Sequence, residues 1–304
     1  MDYVLKTNGL CKHYRHFKAL DGITMNVPKG AIYGFVGKNG AGKTTLIRLI
    51  CGLQQPTSGD FELYGISNSD KEVAKSRKRM GDVVETPSIH MDMTAEDNLK
   101  QQYLILGMPS FDGLKELLEL VGLENTGKKK AKNFSLGMRQ RLGIAIALCG
   151  NPDFLVLDEP VNGLDPQGII EIRELILKLN REHQITVLIS SHILDELSRL
   201  ATHYGFIDGG RILKEISAED LEAACRKCVR IHVSDTAVLA RVLDQMNMEY
   251  KILSENKADI YAKPNFTKLT LALHEENCEV ISMEERDENL ESYYVNLVGG
   301  EADD

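Results

Sequence analysis

A chain of 304 residues is long enough for two domains, and with 43% hydrophobic and 27% charged residues its composition is that of a globular protein. The formal net charge of −9 argues against a nucleic-acid partner. No apolar run approaches the roughly 20 residues that cross a bilayer, and the N-terminal residues lack a signal-peptide pattern. The six cysteines are scattered, as in reduced proteins of the cytoplasm. We therefore expect a cytoplasmic protein that reaches a membrane only through a partner.

The first elements in chain order are short apolar runs separated by turns, over residues 3–33. A turn at Pro28-Lys29-Gly30 leads into residues 31–36, which have the apolar character of a buried strand. The next eight residues are Gly37-Lys38-Asn39-Gly40-Ala41-Gly42-Lys43-Thr44, a complete match to G-x-x-x-x-G-K-[ST]. A helix is predicted directly after them, because apolar residues recur at helical spacing at Leu46, Ile47, Leu49 and Ile50.

This glycine-rich loop has the chemistry of a phosphate site. Gly37, Gly40 and Gly42 remove side chains, so that backbone N–H groups can wrap an oxygen-rich anion. The helix that follows points its positive end at the phosphates. Lys43 adds a mobile charge for the outer phosphates, and the Thr44 hydroxyl can ligate Mg²⁺.

The middle of the chain, residues 94–150, is largely helical in pattern. Thr94-Ala95-Glu96-Asp97 predicts a helix start similar to a capping box, with Asp in place of Glu or Gln. Residues 133–140, which read NFSLGMRQ, precede an apolar helix at residues 142–148. Gly150-Asn151-Pro152-Asp153 ends that helix.

Two continuous apolar runs follow, and each suits a buried parallel strand. Residues 154–157 end in Asp158 and Glu159, and residues 186–190 end at Ser191-His192. Strands that alternate with helices predict a parallel sheet with helices on both faces. Active groups belong at the carboxyl ends of such strands, where Lys43, Asp158, Glu159 and His192 all fall.

Beyond about Ser217 the sequence carries no catalytic pattern. The predicted elements there are strand 229–233, helix 236–246, strands 250–254 and 259–262, helix 266–276, strand 278–283 and helix 290–297. The order β-α-β-β-α-β predicts a small ferredoxin-like α+β domain. We therefore expect one domain over residues 1–216, with a helical part at about 86–150, and an accessory domain over residues 217–304.

Several motifs in this order resemble those of the nucleotide-binding subunit of an ABC transporter, over roughly residues 4–216. Residues 37–45 resemble the Walker A loop, residues 154–159 Walker B, and residues 162–165 the D-loop. Residues 134–138 resemble the signature, whose common form is LSGGQ, although only Ser135 and Gly137 match it. The resemblance implies an α/β P-loop NTPase fold, the ABC cassette, with an antiparallel β subdomain and a helical subdomain.

The resemblance also implies a role for each site residue. Asp158 and Thr44 would hold Mg²⁺, Glu159 would be the general base that orients water, and His192 would contact the γ-phosphate. The alternative for Glu159 is a structural acid that caps its loop, and a lone histidine is more often structural. Tyr14 would stack on adenine, although periodicity alone favours a packing role. The residues implied in nucleotide binding are Tyr14, Gly37, Asn39, Gly40, Gly42, Lys43, Thr44, Thr45, Ser135, Gly137 and Asp165.

Glu85 stands where the family usually has a glutamine. Together with residues 135–140 it resembles the subgroup that exports bacitracin-like and lantibiotic peptides or confers immunity to them. That subgroup also carries a C-terminal extension similar to residues 217–304. The resemblance implies that Glu85 adds a negative charge near Mg²⁺ and near the contact with the membrane domain, as a catalytic or metal-binding residue.

The function implied by this resemblance is an ATP-binding and ATP-hydrolysing subunit. Two copies would form a homodimer around two ATP, and the signature of each copy would close over the ATP of the other. Closure would drive a separate membrane-spanning permease from the cytoplasmic face of the membrane, to export a peptide antibiotic or a similar amphiphile. The alternative is a soluble ABC ATPase with a regulatory or translation-related role. Ribosome-acting members usually carry two cassettes in one chain, whereas this chain has one.

Overall fold

The computed structural model describes residues 2–225, 227–261, 264–286 and 290–299. The chain folds into two compact units, Met1–Ala218 and Glu219–Asp304. The strands of the first unit are β1 (Tyr3–Tyr14), β2 (Phe17–Pro28), β3 (Ile32–Val36), β4 (Ser58–Leu63), β5 (Ile66–Ser67), β6 (Met80–Val83), β7 (Phe154–Asp158), β8 (Thr186–Ser191), β9 (His203–Asp208) and β10 (Arg211–Ser217). Its helices are α1 (Lys43–Ile50), α2 (Val73–Arg77), α3 (Ala95–Leu106), α4 (Leu114–Leu120), α5 (Leu136–Leu148), α6 (Pro166–His183) and α7 (Leu194–Ser198). Short 3-10 turns lie at Glu124–Thr126 and Ala131–Asn133.

The six-stranded sheet of this unit has the order β10-β9-β3-β8-β7-β6. Its strands are parallel except β10, which pairs antiparallel with β9. Every residue of β3, β7 and β8 is buried, which is why these strands are continuous apolar runs rather than alternating ones. The predicted parallel sheet is confirmed. Because β3, β8 and β7 are neighbours, the loops that leave their carboxyl ends meet at one edge of the sheet.

A second, antiparallel sheet has the order β2-β1-β4-β5. Its buried side chains, Leu5 and Ile23 among them, share one hydrophobic cluster with Leu46 and Ile50 of α1 and with Phe35 of β3. Helix α1 therefore packs against both sheets. Burial of each such side chain stabilises the fold by roughly 1.5–3 kcal/mol, so the helix that follows the phosphate loop is firmly held.

The helical part begins at α3 with a variant of the predicted cap. The Thr94 hydroxyl accepts from the Asp97 N–H at 3.1 Å, and it donates to Asp97 Oδ2 at 2.7 Å. In a capping box the acid reaches the backbone N–H of the cap residue, but an aspartate is one methylene shorter than a glutamate. The carboxylate therefore meets the hydroxyl instead.

Helix α5 begins earlier than the apolar pattern predicts. Ser135 is its N-cap, so the helix starts at Leu136 and includes most of the motif NFSLGMRQ. The hydrophobic pattern misses this first turn because its buried residues, Gly137 and Gln140, carry no apolar side chain, whereas its apolar Leu136 is 43% exposed. The N-terminus of α5 is consequently open to solvent beside the motif.

Helix α8 (Ala218–Ala224) begins at the last residue of the first unit and leads into the second. The second unit then contains β11 (Cys228–Val233), α9 (Thr236–Gln245), β12 (Tyr250–Ser254), β13 (Lys257–Ile260), α10 (Phe266–Glu275), β14 (Val280–Arg286) and α11 (Leu290–Gly299). Its sheet has the order β12-β13-β11-β14, and all neighbours are antiparallel. Val229, Ile231 and Val233 of β11 pack with apolar residues of α9 and α10. The strand expected at 259–262 lies at Lys257–Ile260, and Ala262 falls outside the described residues. The ferredoxin-like assignment stays a proposal, and this strand order supports it.

Among the described residues, no helix has both the length and the apolar content that crossing a bilayer requires.

We predict that Gly81→Ala destabilises the first unit by about 1–3 kcal/mol, because a methyl group there overfills the core. A Cβ on Gly81 in β6 would lie 2.3 Å from the carbonyl oxygen of Ala147 in α5. Urea denaturation followed by circular dichroism measures the loss. The control is Gly150→Ala, whose added Cβ would meet only Leu106 at an ordinary 3.7 Å. Equal stability of the two variants would contradict the packing argument.

Candidate functional site

The phosphate loop spans residues 37–42 between β3 and α1. Gly37 has no room for a side chain, since a Cβ there would lie 2.6 Å from the carbonyl oxygen of Ile207. Gly42 has φ of 113°, and its Cβ would lie 2.7 Å from the carbonyl oxygen of Ala19. Asn39 and Gly40 are exposed at the tip of the loop. The loop can therefore present backbone N–H groups to an anion, as the motif predicts.

Lys43, the first residue of α1, points back into this loop. Its side chain is only 6% exposed, and Nζ donates to the carbonyl oxygens of Gly37 at 2.5 Å and Lys38 at 3.2 Å. Nζ also lies 3.1 Å from Glu159 Oε1. Thr44 and Thr45 are half-buried in the same first turn. A full positive charge is thus enclosed where the outer phosphates would sit.

Asp158 ends β7 and is 2% exposed. Its partner in the neighbouring strand is Ser190, which is fully buried. The Ser190 hydroxyl donates to Asp158 Oδ1 at 2.6 Å and accepts from the Glu159 N–H at 3.0 Å. The Glu159 N–H also donates to the carbonyl oxygen of Ser190 at 3.2 Å, so Ser190 contacts both acids, through its hydroxyl and through its backbone.

Glu159 follows with φ of 50°, a left-handed conformation that is uncommon for this residue. The turn brings its carboxylate between the side chains of His192 and Lys43. Oε2 lies 2.7 Å from His192 Nδ1, and Oε1 lies 3.1 Å from Lys43 Nζ. Oε1 is buried and accepts no hydrogen bond of good geometry from the described residues, so Lys43 holds it by charge. The structure thus joins Lys43, Glu159 and His192.

Ser135 and Asp165 serve as helix caps. The Ser135 hydroxyl accepts from the Met138 N–H at the start of α5, and Asp165 Oδ1 accepts from the Gly168 N–H at the start of α6, both at 3.2 Å. A Cβ on Gly137 would lie 3.8 Å from the Cα of Gly168, so the two helix starts pack against each other. These cap hydrogen bonds stay within the first turns of α5 and α6 and do not reach Lys43.

Tyr14 lies at the end of β1, 39% exposed. Its hydroxyl donates to Gln54 Oε1, beyond the end of α1, and the Lys12 ammonium lies 5.2 Å from its ring centroid. The contacts described for Tyr14 do not include the phosphate loop. Its predicted stacking on adenine stays a prediction.

Glu85 is 56% exposed and also has a positive φ, 61°. Its Oε1 lies 2.5 Å from the Nη2 of Arg48 in α1. This hydrogen bond is the main cause that raises the pKa of the Arg48 guanidinium. The contacts described for Glu85 do not include Thr44 or Asp158, and its predicted role at Mg²⁺ stays a prediction.

Comparison with known proteins identifies the family of the chain. Residues 20–162 match the family described as ABC transporter. The chain is 40% identical over 303 residues to the bacitracin transport ATP-binding protein BcrA of Bacillus licheniformis, with 99% of both chains covered. The chain belongs to the ABC transporter ATP-binding proteins. The predicted family and its ATPase activity are therefore confirmed.

Other relatives and solved structures support the same family assignment. The lantibiotic transport ATP-binding protein SrtF of Streptococcus pyogenes is 43% identical over 212 residues, which covers 70% of this chain and 90% of SrtF. The structure of cbiO1 from Clostridium perfringens, part of the ABC transporter complex cbiONQ, matches with a TM-score of 0.65 and 26% identity, over 81% of this chain and 97% of that one. A dimeric structure of the ATP-binding cassette MJ0796 with ADP and Pi matches with a TM-score of 0.63 and 26% identity, over 70% and 98%.

Sequence reasoning missed two polar residues of this cassette, Ser190 and Arg48. The apolar pattern marks Ser190 only as the end of a buried strand, and it gives Arg48 no role in α1. The register of the parallel strands is the missing information, because it pairs Ser190 with Asp158. The sequence signal that could have identified Ser190 is a polar residue at the end of an otherwise apolar strand.

We predict that Ser190→Ala lowers kcat for ATP about tenfold, because Asp158 loses a buried donor and the Glu159 N–H loses the nearer of its two acceptors. A coupled-enzyme ATPase assay measures this change. The control is Thr186→Val at the other end of β8, which also removes a buried hydroxyl, the one that accepts from the Gly30 N–H. Unchanged kcat in Ser190→Ala would show that the hydroxyl does not position the acids.

Proposed function

We propose that this cassette couples ATP binding and hydrolysis to transport by a separate membrane-spanning permease, and that the cargo is a peptide antibiotic of the bacitracin or lantibiotic type. The observation that carries the proposal is the match to the bacitracin transport ATP-binding protein along 99% of both chains, which includes the second unit. A regulatory or translation-related role without a permease has no comparable support.

The site supports this role through the ion pair between Lys43 and Glu159. A bound triphosphate carries several negative charges beside the loop and competes with Glu159 for the Lys43 ammonium. Once released, the Glu159 carboxylate is free to orient a water and accept its proton. His192, 2.7 Å away, keeps the second carboxylate oxygen in place. Nucleotide binding therefore prepares the general base.

Mg²⁺ fits the oxygen donors at this edge of the sheet. The Thr44 hydroxyl and the Asp158 carboxylate are hard ligands of the kind it prefers. Among the described contacts, the Ser190 hydroxyl donates to Oδ1 of Asp158 and not to Oδ2. When bound, Mg²⁺ neutralises part of the triphosphate charge. Glu85 remains a further candidate ligand, but it would first have to leave Arg48.

The signature supports a homodimer. Ser135 and Gly137 lie at the N-terminus of α5, whose first-turn N–H groups can bind an anion, and the neighbouring Leu136 is 43% exposed. In our proposal this terminus closes over the γ-phosphate held by a second copy, and Asp165 lines the same contact. Hydrolysis removes the anion that joins the copies, so the dimer opens.

The proposed location is the cytoplasmic face of the membrane, held there by the permease. The proposed division of labour follows the two units: residues 1–216 hold the ATPase with its helical part at about 86–150, and residues 217–304 form the accessory domain. The second unit carries no proposed catalytic residue.

We predict that Lys43→Ala weakens binding of Mg²⁺-ATP by about two orders of magnitude, because an enclosed ammonium that pairs with phosphate is lost. Isothermal titration calorimetry measures the change in Kd. Lys38→Met is the matched control from the same loop, since the Lys38 ammonium lies 2.9 Å from Asp208 and is 62% exposed. Similar Kd values for Lys43→Ala and the wild type would remove Lys43 from the phosphate site.

Glu159→Gln should keep ATP bound and lower hydrolysis by a factor of about 10²–10⁴, because an amide cannot accept the proton of the attacking water. The variant should therefore accumulate as a closed dimer. Light scattering with ATP should give twice the chain mass of 33.9 kDa, and ADP should give the single mass. Glu174→Gln, an exposed change on α6, is the control.

The transport role is tested with the same variant in cells. Wild type expressed with its permease should raise the concentration of bacitracin or lantibiotic that the cells survive, and Glu159→Gln should abolish this gain. Purification of tagged protein from membranes should recover a multi-span protein. Full resistance with Glu159→Gln, or purification without any membrane protein, would overturn the proposal.

A further inference from the structure

Arg48 shares a helix face with the proposed Mg²⁺ ligand Thr44. The two residues are four apart in α1, and such residues lie one above the other on the same side of a helix. The Arg48 side chain is 32% exposed, and its guanidinium is 2.5 Å from the Glu85 carboxylate. The face of α1 that carries Thr44 thus also carries the cation that pairs with Glu85.

Glu85 lies at the same sheet edge as Asp158 and Glu159. Strands β6 and β7 are parallel neighbours, with Val83 opposite Leu157. Glu85 therefore lies just beyond the end of β6, as Glu159 lies just beyond the end of β7. A tight turn, in which the Thr86 N–H donates to the carbonyl oxygen of Val84 at 2.8 Å, places Glu85 at its centre.

Three carboxylates at one edge would repel a triphosphate. Glu159 is paired with Lys43 and Asp158 with the Ser190 hydroxyl, whereas Glu85 is paired with Arg48. A glutamine at position 85 would need no such cation. Arg48 therefore compensates the negative charge that Glu85 brings to this position.

We infer that Arg48 is a positioning residue for nucleotide binding: its guanidinium neutralises the Glu85 carboxylate and fixes where that carboxylate lies at this edge of the sheet. The inference rests on the proposed function. An exposed ion pair contributes little to folding stability, so loss of Arg48 acts on the affinity for Mg²⁺-ATP rather than on the melting temperature.

The test is a double-mutant cycle in the full chain, with wild type, Arg48→Met, Glu85→Gln and the double variant. Arg48→Met should raise the KM for Mg²⁺-ATP about three- to tenfold and change kcat much less. In the Glu85→Gln background the same change should leave KM within about twofold, because no charge is then uncompensated. Arg48→Lys should restore most of the affinity, and added salt should shrink the effect of Arg48→Met by screening.

The control is Lys100→Met on α3, which removes a cation from an exposed pair with Glu96 at 2.6 Å and should leave KM unchanged. If Glu85→Gln alone stops turnover, the cycle is measured as the Kd of a fluorescent ATP analogue with Mg²⁺. Equal effects of Arg48→Met in both backgrounds, or no effect in either, would overturn the inference. A wild type that binds ATP without hydrolysing it would count against the proposed function, while the binding cycle would still decide the role of Arg48.

Discussion

The ion pair between Lys43 and Glu159 connects the phosphate loop to the end of β7, and the rest of the site is arranged around it. One partner begins α1, which is clamped between two sheets, and the other follows a fully buried strand. Neither backbone can move far, so the 3.1 Å contact depends on the packing beneath it. His192 adds a third strand end to the same group. The geometry of the catalytic residues therefore depends on the packing of the hydrophobic core.

Much of this site could be predicted from the sequence, because its signals are local. The glycines of residues 37–42 stand in a contiguous motif, and Asp158, Glu159 and His192 each follow an unbroken apolar run. Apolar runs of this kind identify buried parallel strands, and parallel strands bring their carboxyl ends together. The family and the α/β cassette fold followed from the same signals. The order of strands in the sheet required the structure.

The side-chain partners could not be predicted, since they depend on register and not on spacing. Ser190 lies 32 residues from Asp158, and only the pairing of β7 with β8 sets them side by side. Arg48 and Glu85 are 37 residues apart and belong to elements that no local pattern connects. The start of α5 was also missed, because its cap, Ser135, precedes the apolar repeat. Local propensity thus located the motifs, and tertiary contacts decided what each residue touches.

The left-handed backbone of Glu159 sets activity and stability against each other. A non-glycine residue at φ of 50° costs of order 1 kcal/mol or more, which the buried strands around it can sustain. Glycine would relieve that tension and make the polypeptide sturdier, yet it would delete the carboxylate on which turnover relies. Random mutagenesis scored only for heat resistance would therefore favour inert proteins at this position. The backbone strain at Glu159 is thus the energetic cost of placing a carboxylate at this turn.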